Sequence, residues 1–406
     1  MGDVVKKHIA MYIGSLNKGG AERVMVNLAE YFFGRGYHVT LITTYLADDE
    51  YEVPHGNWSL TEKDGFIKTE VLNPDDELKY VYLKKENDGI DRVFTALMPD
   101  ERGGRLANFK RRISKLRNTF KEINSDIILS FLGKNNVMAI NAARGLGIPV
   151  VVSVRSNPSR EYGSKGLDLS MNYLFPKAAG VVVQTTGAKE YFKDSIQKKC
   201  RILPNSIHPD FINKEIVPFE NRTKTIVSVG RLDDNKNQIL LIKAFAKIAD
   251  KHSDYRLVIY GDGPSKNKFM DEAKSLGLLD KNIFFMGNVS GVADKIKDSE
   301  IFVLSSKQEG MPNALIEAMA LGLCCISTDC PCGGPKDLIN SKENGILIPM
   351  GSDDAMVESL SNALSEVIAD RELSKKMSEA AVSVRQEYSP DRINLMWEEY
   401  FEELMR

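Results

Sequence analysis

Two glutamates eight positions apart, Glu309 and Glu317, are the clearest candidates for chemistry in this sequence. Glu309 lies in a short loop after an apolar run, and Glu317 lies within the apolar stretch 314–323. An unpaired buried charge is costly, so Glu317 needs either solvent or a specific hydrogen-bonding partner. A carboxylate accepts hydrogen bonds with two oxygens, which suits the vicinal hydroxyl groups of a ribose or a hexose.

The segment between the two glutamates could bind an anion. The loop of Glu309 also carries Gly310 and Met311, and Pro312 or Asn313 then predicts the start of a helix. Free N–H groups in the first turn of a helix receive phosphate oxygens, and a glycine lets a ligand come close. This pattern is consistent with a phosphate-bearing sugar as the ligand.

A second pair of residues, Arg231 and Lys236, follows the predicted strand 224–232. Open α/β sheets bind ligands at the carboxyl ends of their strands. An arginine fork with a lysine point charge suits a diphosphate. Taken alone the two side chains could be ordinary surface charges, but their position after a strand favours a site.

A glycine pair, Gly19 and Gly20, joins the first predicted strand to a helix. Paired glycines allow positive φ and close approach of a ligand to the backbone, and the helix that follows favours an anion. The spacing is not GxGxxG, and no acidic residue clearly ends the second strand, so a dinucleotide site is poorly supported. A plain tight turn is the alternative interpretation.

The elements that must position these residues form two series of short, apolar, β-branched strands alternating with helical patterns. The first series is predicted at 8–16, 37–46, 125–132, 148–155, 180–186 and 200–205. The second is predicted at 224–232, 255–263, 282–289, 300–306, 323–329 and 344–350. Such strands belong to parallel sheets covered on both faces. The pattern predicts an α/β protein with two Rossmann-like, doubly wound domains and a ligand cleft between them.

Three segments fit this pattern less well. Residues 208–223 are polar and contain prolines, which predicts an interdomain linker. Residues 46 to about 104 are too long for a simple loop and are expected to have structure of their own.

The third segment, 102–121, has eight basic side chains and no acidic one. It predicts either a solvated helix face or a surface for an anionic membrane or a polyphosphate-bearing acceptor. The helix also has an apolar face that could pack against the sheet: Leu106, Phe109, Ile113, Leu116 and Phe120.

Composition excludes several classes of protein. The net charge of −2 gives no electrostatic reason to expect a nucleic-acid partner. No apolar run is long enough to span a bilayer, and the N-terminal segment does not resemble a signal peptide, which predicts a cytoplasmic protein. The five cysteines form an odd count that fits a reducing compartment. Cys324 and Cys325 would point to opposite faces of a strand, so we expect buried thiols rather than a metal site.

The motifs together resemble those of retaining GT-B glycosyltransferases of family 4. Glu309 and Glu317 match the E-x7-E signature of that family within EGMPNALIEAMALG. The segments GSLNKGGAERV, VSVRSNP, ILPNSI, VSVGRLDDNKNQ and YGDGP resemble the family in order and spacing. The resemblance covers nearly the whole chain and is weakest at residues 46–125.

The resemblance implies two domains with different ligands. An acceptor-binding domain would span 1–207 and 389–406, and a nucleotide-sugar-binding domain would span 224–388. The final helix, capped by Ser389 with Pro390 at its first position, would cross back to the N-terminal domain. That crossing would bury its aromatic residues.

The resemblance also implies roles for the candidate residues. Glu317 would bind the ribose, and Glu309 the donor hexose. The diphosphate would be held by Arg231, Lys236 and the backbone from Gly310 to Asn313. The donor would also contact the following residues: Gly19, Gly20, Met311, Pro312 and the main chain at Val289.

The implied reaction moves a hexose from a nucleotide sugar, most often a UDP-sugar, to a glycan or lipid-linked acceptor. Front-side attack would retain configuration without a protein nucleophile, and preorganised positive charge would replace a metal or other cofactor. Some members of the family have a histidine where this chain has Arg155, Ser156 and Asn157. Arg155 is therefore expected to stabilise charge or to contact the acceptor.

Three other functions compete with this interpretation. A glycoside hydrolase also uses paired carboxylates, but it would leave Arg231 and Lys236 with no phosphate to neutralise. A hydrolysing UDP-sugar 2-epimerase shares the GT-B architecture, but no convincing acid–base set is present. A non-catalytic nucleotide-sugar-binding partner is disfavoured because Glu309, Arg231 and Lys236 are all intact. Incubation with UDP-sugars would separate the three.

Overall fold

The computed structural model describes residues 7–45, 47–56, 67–72, 78–83, 89–97 and 102–406. It divides the chain into two compact units. Unit 1 comprises Met1–Val183, Lys189–Leu203 and Asn394–Arg406, and unit 2 comprises Gln184–Ala188 and Pro204–Ile393. Each unit contains one parallel sheet, as the two series of strands predicted.

Unit 1 is built on a seven-stranded parallel sheet in the order β5-β2-β1-β6-β7-β8-β9. The strands are β1 (His8–Ile13), β2 (His38–Thr43), β5 (Asp91–Phe94), β6 (Ile127–Phe131), β7 (Val150–Ser153), β8 (Gly180–Val183) and β9 (Cys200–Ile202). A separate antiparallel hairpin is formed by β3 (Ile67–Leu72) and β4 (Leu78–Leu83). The central strands are buried along their whole length, because helices cover both faces of the sheet.

The helices of the first half of the chain follow the strands in alternation. They are α1 (Gly20–Gly34), α2 (Arg105–Ile123), α3 (Gly133–Ala143), α4 (Pro158–Glu161), α5 (Lys165–Leu174), a 3-10 turn (Phe175–Lys177), α6 (Thr186–Glu190) and α7 (Asp194–Gln197). In α2 the apolar residues separate into two groups. Leu116 and Phe120 are buried, whereas Leu106 is 79% exposed and Phe109 40% exposed. The expectation that the whole apolar face packs against the sheet is therefore wrong for the first half of the helix.

Unit 2 is built on a six-stranded parallel sheet in the order β12-β11-β10-β13-β14-β15. The strands are β10 (Thr223–Val229), β11 (Arg256–Tyr260), β12 (Ile283–Gly287), β13 (Ser299–Leu304), β14 (Cys324–Thr328) and β15 (Ile346–Ile348). This order reverses direction at β10, between β11 and β13. Ligands bind at such a switch point in doubly wound sheets.

Helices on both sides of this sheet enclose two separate apolar cores. They are α8 (Pro209–Ile212), a 3-10 turn (Phe219–Asn221), α9 (Gln238–Ala246), α10 (Lys266–Ser275), α11 (Val292–Ile296), α12 (Asn313–Ala320), α13 (Gly334–Leu338), α14 (Asp353–Ala369), α15 (Arg371–Ala381) and α16 (Val384–Glu387). Cys324 lies in one core and Cys325 in the other, both fully buried. The prediction that these thiols point to opposite faces is confirmed.

The final helix, α17 (Pro390–Leu404), begins with the predicted cap, since the hydroxyl of Ser389 lies 3.3 Å from the N–H of Arg392. From Asn394 onward the helix belongs to unit 1. Trp397 and Phe401 are fully buried there, and Phe401 stacks on Phe32 with ring centroids 5.2 Å apart. Burying an aromatic side chain of this size contributes about 1.5–3 kcal/mol. The implied return of this helix is confirmed.

The structure also differs from the predictions at particular segments. The edge strand β5 was not predicted, and together with the hairpin it provides structure within 46–104. Much of that segment, including 57–66 and 84–88, lies outside the described residues. The predicted linker 208–223 contains α8 and a 3-10 turn and groups with unit 2. No helix in the described part of the chain is both long and apolar enough to cross a membrane.

Candidate active site

The candidate donor site lies at the carboxyl ends of β10 and β13, which are neighbours in the sheet of unit 2. Lys236 follows β10 and Glu309 follows β13, and the Lys236 Nζ lies 2.6 Å from the Glu309 Oε1. The side chains are 26% and 11% exposed. The structure therefore brings together two residues that are 73 positions apart in sequence, at the switch point of the sheet.

Hydrogen bonds between the two loops fix this arrangement. The Asp233 carboxylate accepts from the N–H groups of Asn235 and Lys236, at 3.0 and 2.9 Å, and so shapes the loop after β10. Asn235 then donates from its side chain to the carbonyl of Gln308, and its own carbonyl accepts from the N–H of Lys307. The position of Lys236 thus depends on backbone contacts as well as on its charge.

Ser306 is a site residue that the sequence reasoning missed. Its hydroxyl lies 2.5 Å from the Glu309 Oε1, the same oxygen that contacts Lys236. The Ser306 carbonyl in turn accepts from the hydroxyl of Thr328, on β14. Two groups therefore contact one oxygen of Glu309, and these contacts orient the carboxylate. The signal was its position three residues before Glu309 in the same loop.

The backbone of Glu309 is held by the segment after β14. Its N–H donates to the carbonyl of Pro331, and its carbonyl accepts from the N–H of Cys332, at 2.8 and 2.9 Å. A Cβ at Gly334 would lie 1.8 Å from the carbonyl oxygen of Gly310, so this position requires glycine. The cysteine-rich segment thus supports the Glu309 loop. Among the described residues, no group of three or more metal-ligating side chains is arranged to hold an ion.

The N-terminus of α12 offers unbonded donors beside Glu309. Within the described structure, the N–H groups of Gly310, Met311, Asn313 and Ala314 donate no backbone hydrogen bond. Met311 and Pro312 are buried, and the Asn313 side chain accepts from Asn205 at 2.8 Å. Such a helix start attracts anions.

The other donor-site candidates in unit 2 occupy the same end of the sheet. Glu317 lies within α12 and is partly exposed between the buried residues Ile316 and Ala318. Val289 follows the edge strand β12 and is also partly exposed. Arg231 follows β10, and its side chain is 71% exposed, with its Nε 3.7 Å from the carboxylate of Asp233. Arg231 is thus accessible but does not contact Glu309.

The glycine pair in unit 1 forms the turn between β1 and α1. Neither Gly19 nor Gly20 has positive φ, so the turn does not use the conformational freedom that paired glycines allow. A Cβ at Gly20 would meet no atom within 4 Å, and one at Gly19 would meet only the side chain of Glu22. The absence of side chains here therefore leaves open space in front of the helix N-terminus.

Arg155 follows β7 in unit 1, and only 8% of it is exposed. Its guanidinium lies 5.1 Å from the centre of the Phe131 ring. Burial lowers the pKa of Arg155 to about 10, while the charge of Glu161 acts in the opposite direction. Glu161 ends α4 and accepts from the hydroxyl of Ser156 at 2.9 Å. The sequence reasoning selected Arg155 but missed Glu161, whose only signal was its position six residues later.

Comparison with known proteins identifies the family. Residues 18–211 match the model described as Glycosyltransferase Family 4, and residues 210–384 match the model described as Glycosyl transferases group 1. Together the two matches span residues 18–384 and include every candidate site residue discussed above.

Several named proteins are similar along much of the chain. A Campylobacter jejuni GalNAc-alpha-(1->4)-GalNAc-alpha-(1->3)-diNAcBac-PP-undecaprenol alpha-1,4-N-acetyl-D-galactosaminyltransferase is 27% identical over 392 residues, covering 96% of each chain. An Escherichia coli UDP-Gal:alpha-D-GlcNAc-diphosphoundecaprenol alpha-1,3-galactosyltransferase is 26% identical over 289 residues, covering 66% of this chain and 72% of the relative.

The solved structure of Anabaena Alr3699/HepE in complex with UDP has the same fold. Its TM-score is 0.74 at 17% identity, and the match covers 98% of this chain and 100% of that one. The matched family models, the named relatives and the paired parallel sheets lead to one conclusion. The protein is a glycosyltransferase that belongs to family 4 and has the GT-B fold.

Proposed function

We propose that this glycosyltransferase moves a hexose from a UDP-sugar to a hydroxyl group of a lipid-linked glycan, with retention of configuration and without a metal. The observation that carries the proposal is the Lys236–Glu309 pair at the switch point of unit 2. This pair would place a cation for a diphosphate next to a carboxylate for a sugar. The Anabaena neighbour, solved with UDP, supports the choice of nucleotide.

Positive charge and backbone donors would stabilise the leaving diphosphate. Lys236 is close to the N-terminus of α12, where Gly310 and Asn313 have N–H groups that make no backbone bond in the described structure. Arg231 is exposed and has a single weak contact, so its guanidinium can turn toward a phosphate. Preorganised donors of this kind stabilise developing negative charge, which is the work that a metal would otherwise do.

The carboxylates would select the sugars of the donor. Glu309 is oriented through Oε1 by Ser306 and Lys236, and its Oε2 would accept from hydroxyl groups of the hexose. Glu317 would accept from the ribose diol, and main-chain groups near Val289 would contact the base. The open turn at Gly19 and Gly20 would let a phosphate or sugar group approach the backbone of unit 1.

The bond changes then follow front-side attack. The acceptor hydroxyl oxygen bonds to the anomeric carbon on the face from which the diphosphate departs. The bond from that carbon to the diphosphate oxygen breaks, and the departing phosphate takes the hydroxyl proton. Arg155 would stabilise charge or contact the acceptor. No step requires a covalent bond to the protein.

The acceptor and the membrane are linked in this proposal. The two named relatives act on undecaprenyl-diphosphate-linked glycans, and such acceptors lie at a membrane surface. The exposed start of α2 combines Leu106 and Phe109 with the exposed cations Arg105, Lys110 and Arg111. Apolar and basic side chains together bind anionic lipid surfaces. The enzyme would therefore work at the cytoplasmic face of a membrane.

The donor is tested by a thermal-shift screen of UDP- and GDP-sugars, because a ligand that binds the native state raises its stability. Turnover of the selected donor is then measured with and without EDTA, and the anomeric configuration of the product is read by NMR. We expect a UDP-sugar to give the largest shift and EDTA to leave the rate unchanged. Strict dependence on Mg²⁺ or Mn²⁺ would contradict the metal-independent reaction, and an inverted product would contradict retention. Normal turnover in a folded Arg231→Ala variant would contradict the role of Arg231 in binding the diphosphate.

The membrane contact is tested with sedimenting vesicles of phosphatidylglycerol and phosphatidylethanolamine. Changing Leu106 and Phe109 to serine should release the protein from these vesicles. A matched control changes Leu169 and Tyr173, which are also exposed apolar residues of unit 1, on α5. Equal loss of binding in both double variants would show that the contact is not specific to α2.

A further inference from the structure

Unit 1 contains a carboxyl group that the donor site does not use, at the turn that follows β7. Glu161, the last residue of α4, folds back over this turn. Its carboxylate accepts from the hydroxyl of Ser156 at 2.9 Å and is further stabilised by the backbone N–H groups of Arg155 and Ser156. Asn157 caps α4 through the N–H of Ser159 and so fixes the other side of the turn.

Neighbouring elements pack against Glu161 and bury one of its carboxylate oxygens. The N-terminus of α3 lies against it, since a Cβ at Gly133 would come within 2.9 Å of the Glu161 carbonyl oxygen and 3.2 Å of its Cγ. Asn136 on α3 donates to the Tyr162 hydroxyl at 3.0 Å. The Glu161 Oε1 is buried without a hydrogen-bond partner among the described residues. A buried oxygen left in this state costs stability.

The ionised form of Glu161 is costly in this place. Burial raises the pKa of Glu161 to about 7, although the hydrogen bonds from Ser156 and the backbone and the charge of Arg155 all act to lower it. The titratable groups that face it are the guanidinium of Arg155, on the turn, and the phenol of Tyr162, whose own pKa burial and the charge of Glu161 raise well above its usual value. The group therefore titrates within the range in which enzymes are usually active.

Arg155 is the charged group that this carboxylate influences. The guanidinium is buried against Phe131, and a buried charge needs a counter-charge. The negative charge of Glu161 raises the pKa of Arg155 against the effect of burial. Glu161 also contacts the turn that carries the Arg155 side chain, through the hydroxyl of Ser156.

We propose that Glu161 is a positioning residue for glycosyl transfer, whose carboxylate holds the Arg155–Ser156 turn and orients the Arg155 guanidinium for the reaction. The inference rests on the role proposed above for Arg155. It adds Glu161 and Arg155 of unit 1 to the residues proposed to act in transfer, in addition to Lys236 and Glu309 of unit 2. Transfer then requires the ionised carboxylate.

A dependence of activity on pH follows from this role. Near pH 6 most Glu161 is protonated, and near pH 8 most is ionised, so turnover should rise about tenfold between these values. Stability should change in the opposite direction. Because the folded-state pKa of Glu161 is raised, the protonated form stabilises the fold, and this contribution is lost as the pH rises through about 7. A glutamine in its place stays neutral, so Glu161→Gln should not lower the unfolding temperature at pH 8.

The test measures release of UDP or GDP from the donor selected by the thermal-shift screen, using the full chain. The proteins are the wild type, Glu161→Gln, Glu161→Asp, Arg155→Lys and the double variant Glu161→Gln with Arg155→Lys. We expect Glu161→Gln to lower kcat at pH 8 about tenfold with an unchanged KM for the donor, and to flatten the pH profile. Glu161→Asp should restore the pH dependence in part. In the Arg155→Lys background, Glu161→Gln should lower kcat only a little further, because the two residues act together.

Each alternative outcome has a defined meaning. Wild-type kcat and pH profile in Glu161→Gln, with Arg155→Lys impaired, would overturn the positioning role and leave the function proposed for Arg155 intact. Equal effects of Glu161→Gln in both backgrounds would also overturn it. Wild-type turnover in Arg155→Lys would instead refute the role of Arg155, and with it the proposal that Glu161 acts by orienting Arg155. If Glu161→Gln fails to fold, the pH profiles of the wild type and Glu161→Asp decide, since an unchanged rate from pH 6 to 8 in both contradicts the inference.

Discussion

The two sheets of this enzyme have the same parallel architecture, but the loops at their carboxyl ends are built differently. In unit 2, the loops after β10, β13 and β14 are bonded to one another, through the side chain of Asn235, the carbonyl of Ser306 and the backbone of Glu309. In unit 1, the turn after β1 is left open by Gly19 and Gly20. Arg155 of unit 1 is buried, and the Glu161 carboxylate contacts the turn that carries it, through the hydroxyl of Ser156.

The proposed function offers a reason for this difference, since it assigns the nucleotide sugar to unit 2 and the acceptor to unit 1. A nucleoside diphosphate has fixed charges and hydroxyl groups, so a rigid and prebonded set of donors and acceptors stabilises it without reorganisation. An acceptor differs between enzymes of one family, and open space next to a few supporting polar groups can be adapted by changing side chains. The predictions below test how far this contrast extends.

The largest effect is expected from removing the cation of unit 2. Lys236→Ala should lower turnover by about 10²–10³, because the change removes a preorganised charge at the leaving diphosphate. The loop should keep its shape, since Asp233 and Asn235 hold it through the backbone. Turnover and the unfolding temperature are measured together. Lys243→Ala serves as a control, because Lys243 on α9 is half exposed, with its Nζ 3.7 Å from Glu272. Similar turnover in the two variants would refute the role of Lys236.

A second prediction disturbs the support of the Glu309 loop without removing a polar side chain. In Gly334→Ala the new methyl group would lie 1.8 Å from the carbonyl oxygen of Gly310 and 2.7 Å from the ring of Pro312. Relief of this overlap must move backbone, at a cost of about 1–3 kcal/mol in the free energy of unfolding. Turnover should fall more in Gly334→Ala than in the control Gly351→Ala, where the new Cβ would make an ordinary contact at 3.8 Å. Denaturant unfolding and turnover of both variants check this, and equal values would contradict it.

The fold could be read from the sequence to a large extent because both sheets are covered by helices. Apolar, β-branched strands such as 127–131 and 299–304 are buried on both faces, and this burial is visible in composition alone. The strand β5 was missed because it is an edge strand with the alternating, half-buried sequence DRVF. The two halves of α2 could not be separated, since the spacing of Leu106 and Leu116 is equally helical while their burial depends on what packs beside them.

The candidate site was only partly predictable. Positions at strand ends identified Lys236 and Glu309, because parallel topology brings such ends together. The supporting residues carried no signal of that kind. Pro331 and Cys332 contribute backbone atoms, which any residue can supply, and Glu161 acts through a turn whose folding back depends on tertiary packing. Backbone contacts and burial arise only when the chain is folded.

A third prediction concerns the orientation of Glu309. Ser306→Ala removes the hydroxyl that lies 2.5 Å from the Glu309 Oε1 but keeps the contact with Lys236. A hydrogen bond to a charged group contributes about 1.5–3 kcal/mol, and one remaining partner should preserve part of the orientation, so we expect about a tenfold loss of turnover. Ser305→Ala is a matched control, because that hydroxyl bonds the carbonyl of Lys236 rather than a carboxylate. Equal losses in the two variants would indicate that the loop, not Glu309, is affected.

The smallest effect is expected from Gly20→Ala in unit 1. This change should affect substrate binding without lowering the stability of the fold. Gly20→Ala adds a methyl group at the first position of α1, where no atom lies within 4 Å and φ suits any residue. Alanine is the better helix former, so the unfolding temperature should stay the same or rise slightly. If a ligand approaches this turn, the methyl group should raise the KM for the donor or the acceptor several-fold, since close approach to the backbone is what the glycine permits. Gly34→Ala, at the other end of the same helix and equally unobstructed, controls for a general effect on α1. Unchanged KM values in Gly20→Ala would mean that this turn does not contact either substrate, and the contrast between the two units would then rest on Arg155 and Glu161 alone.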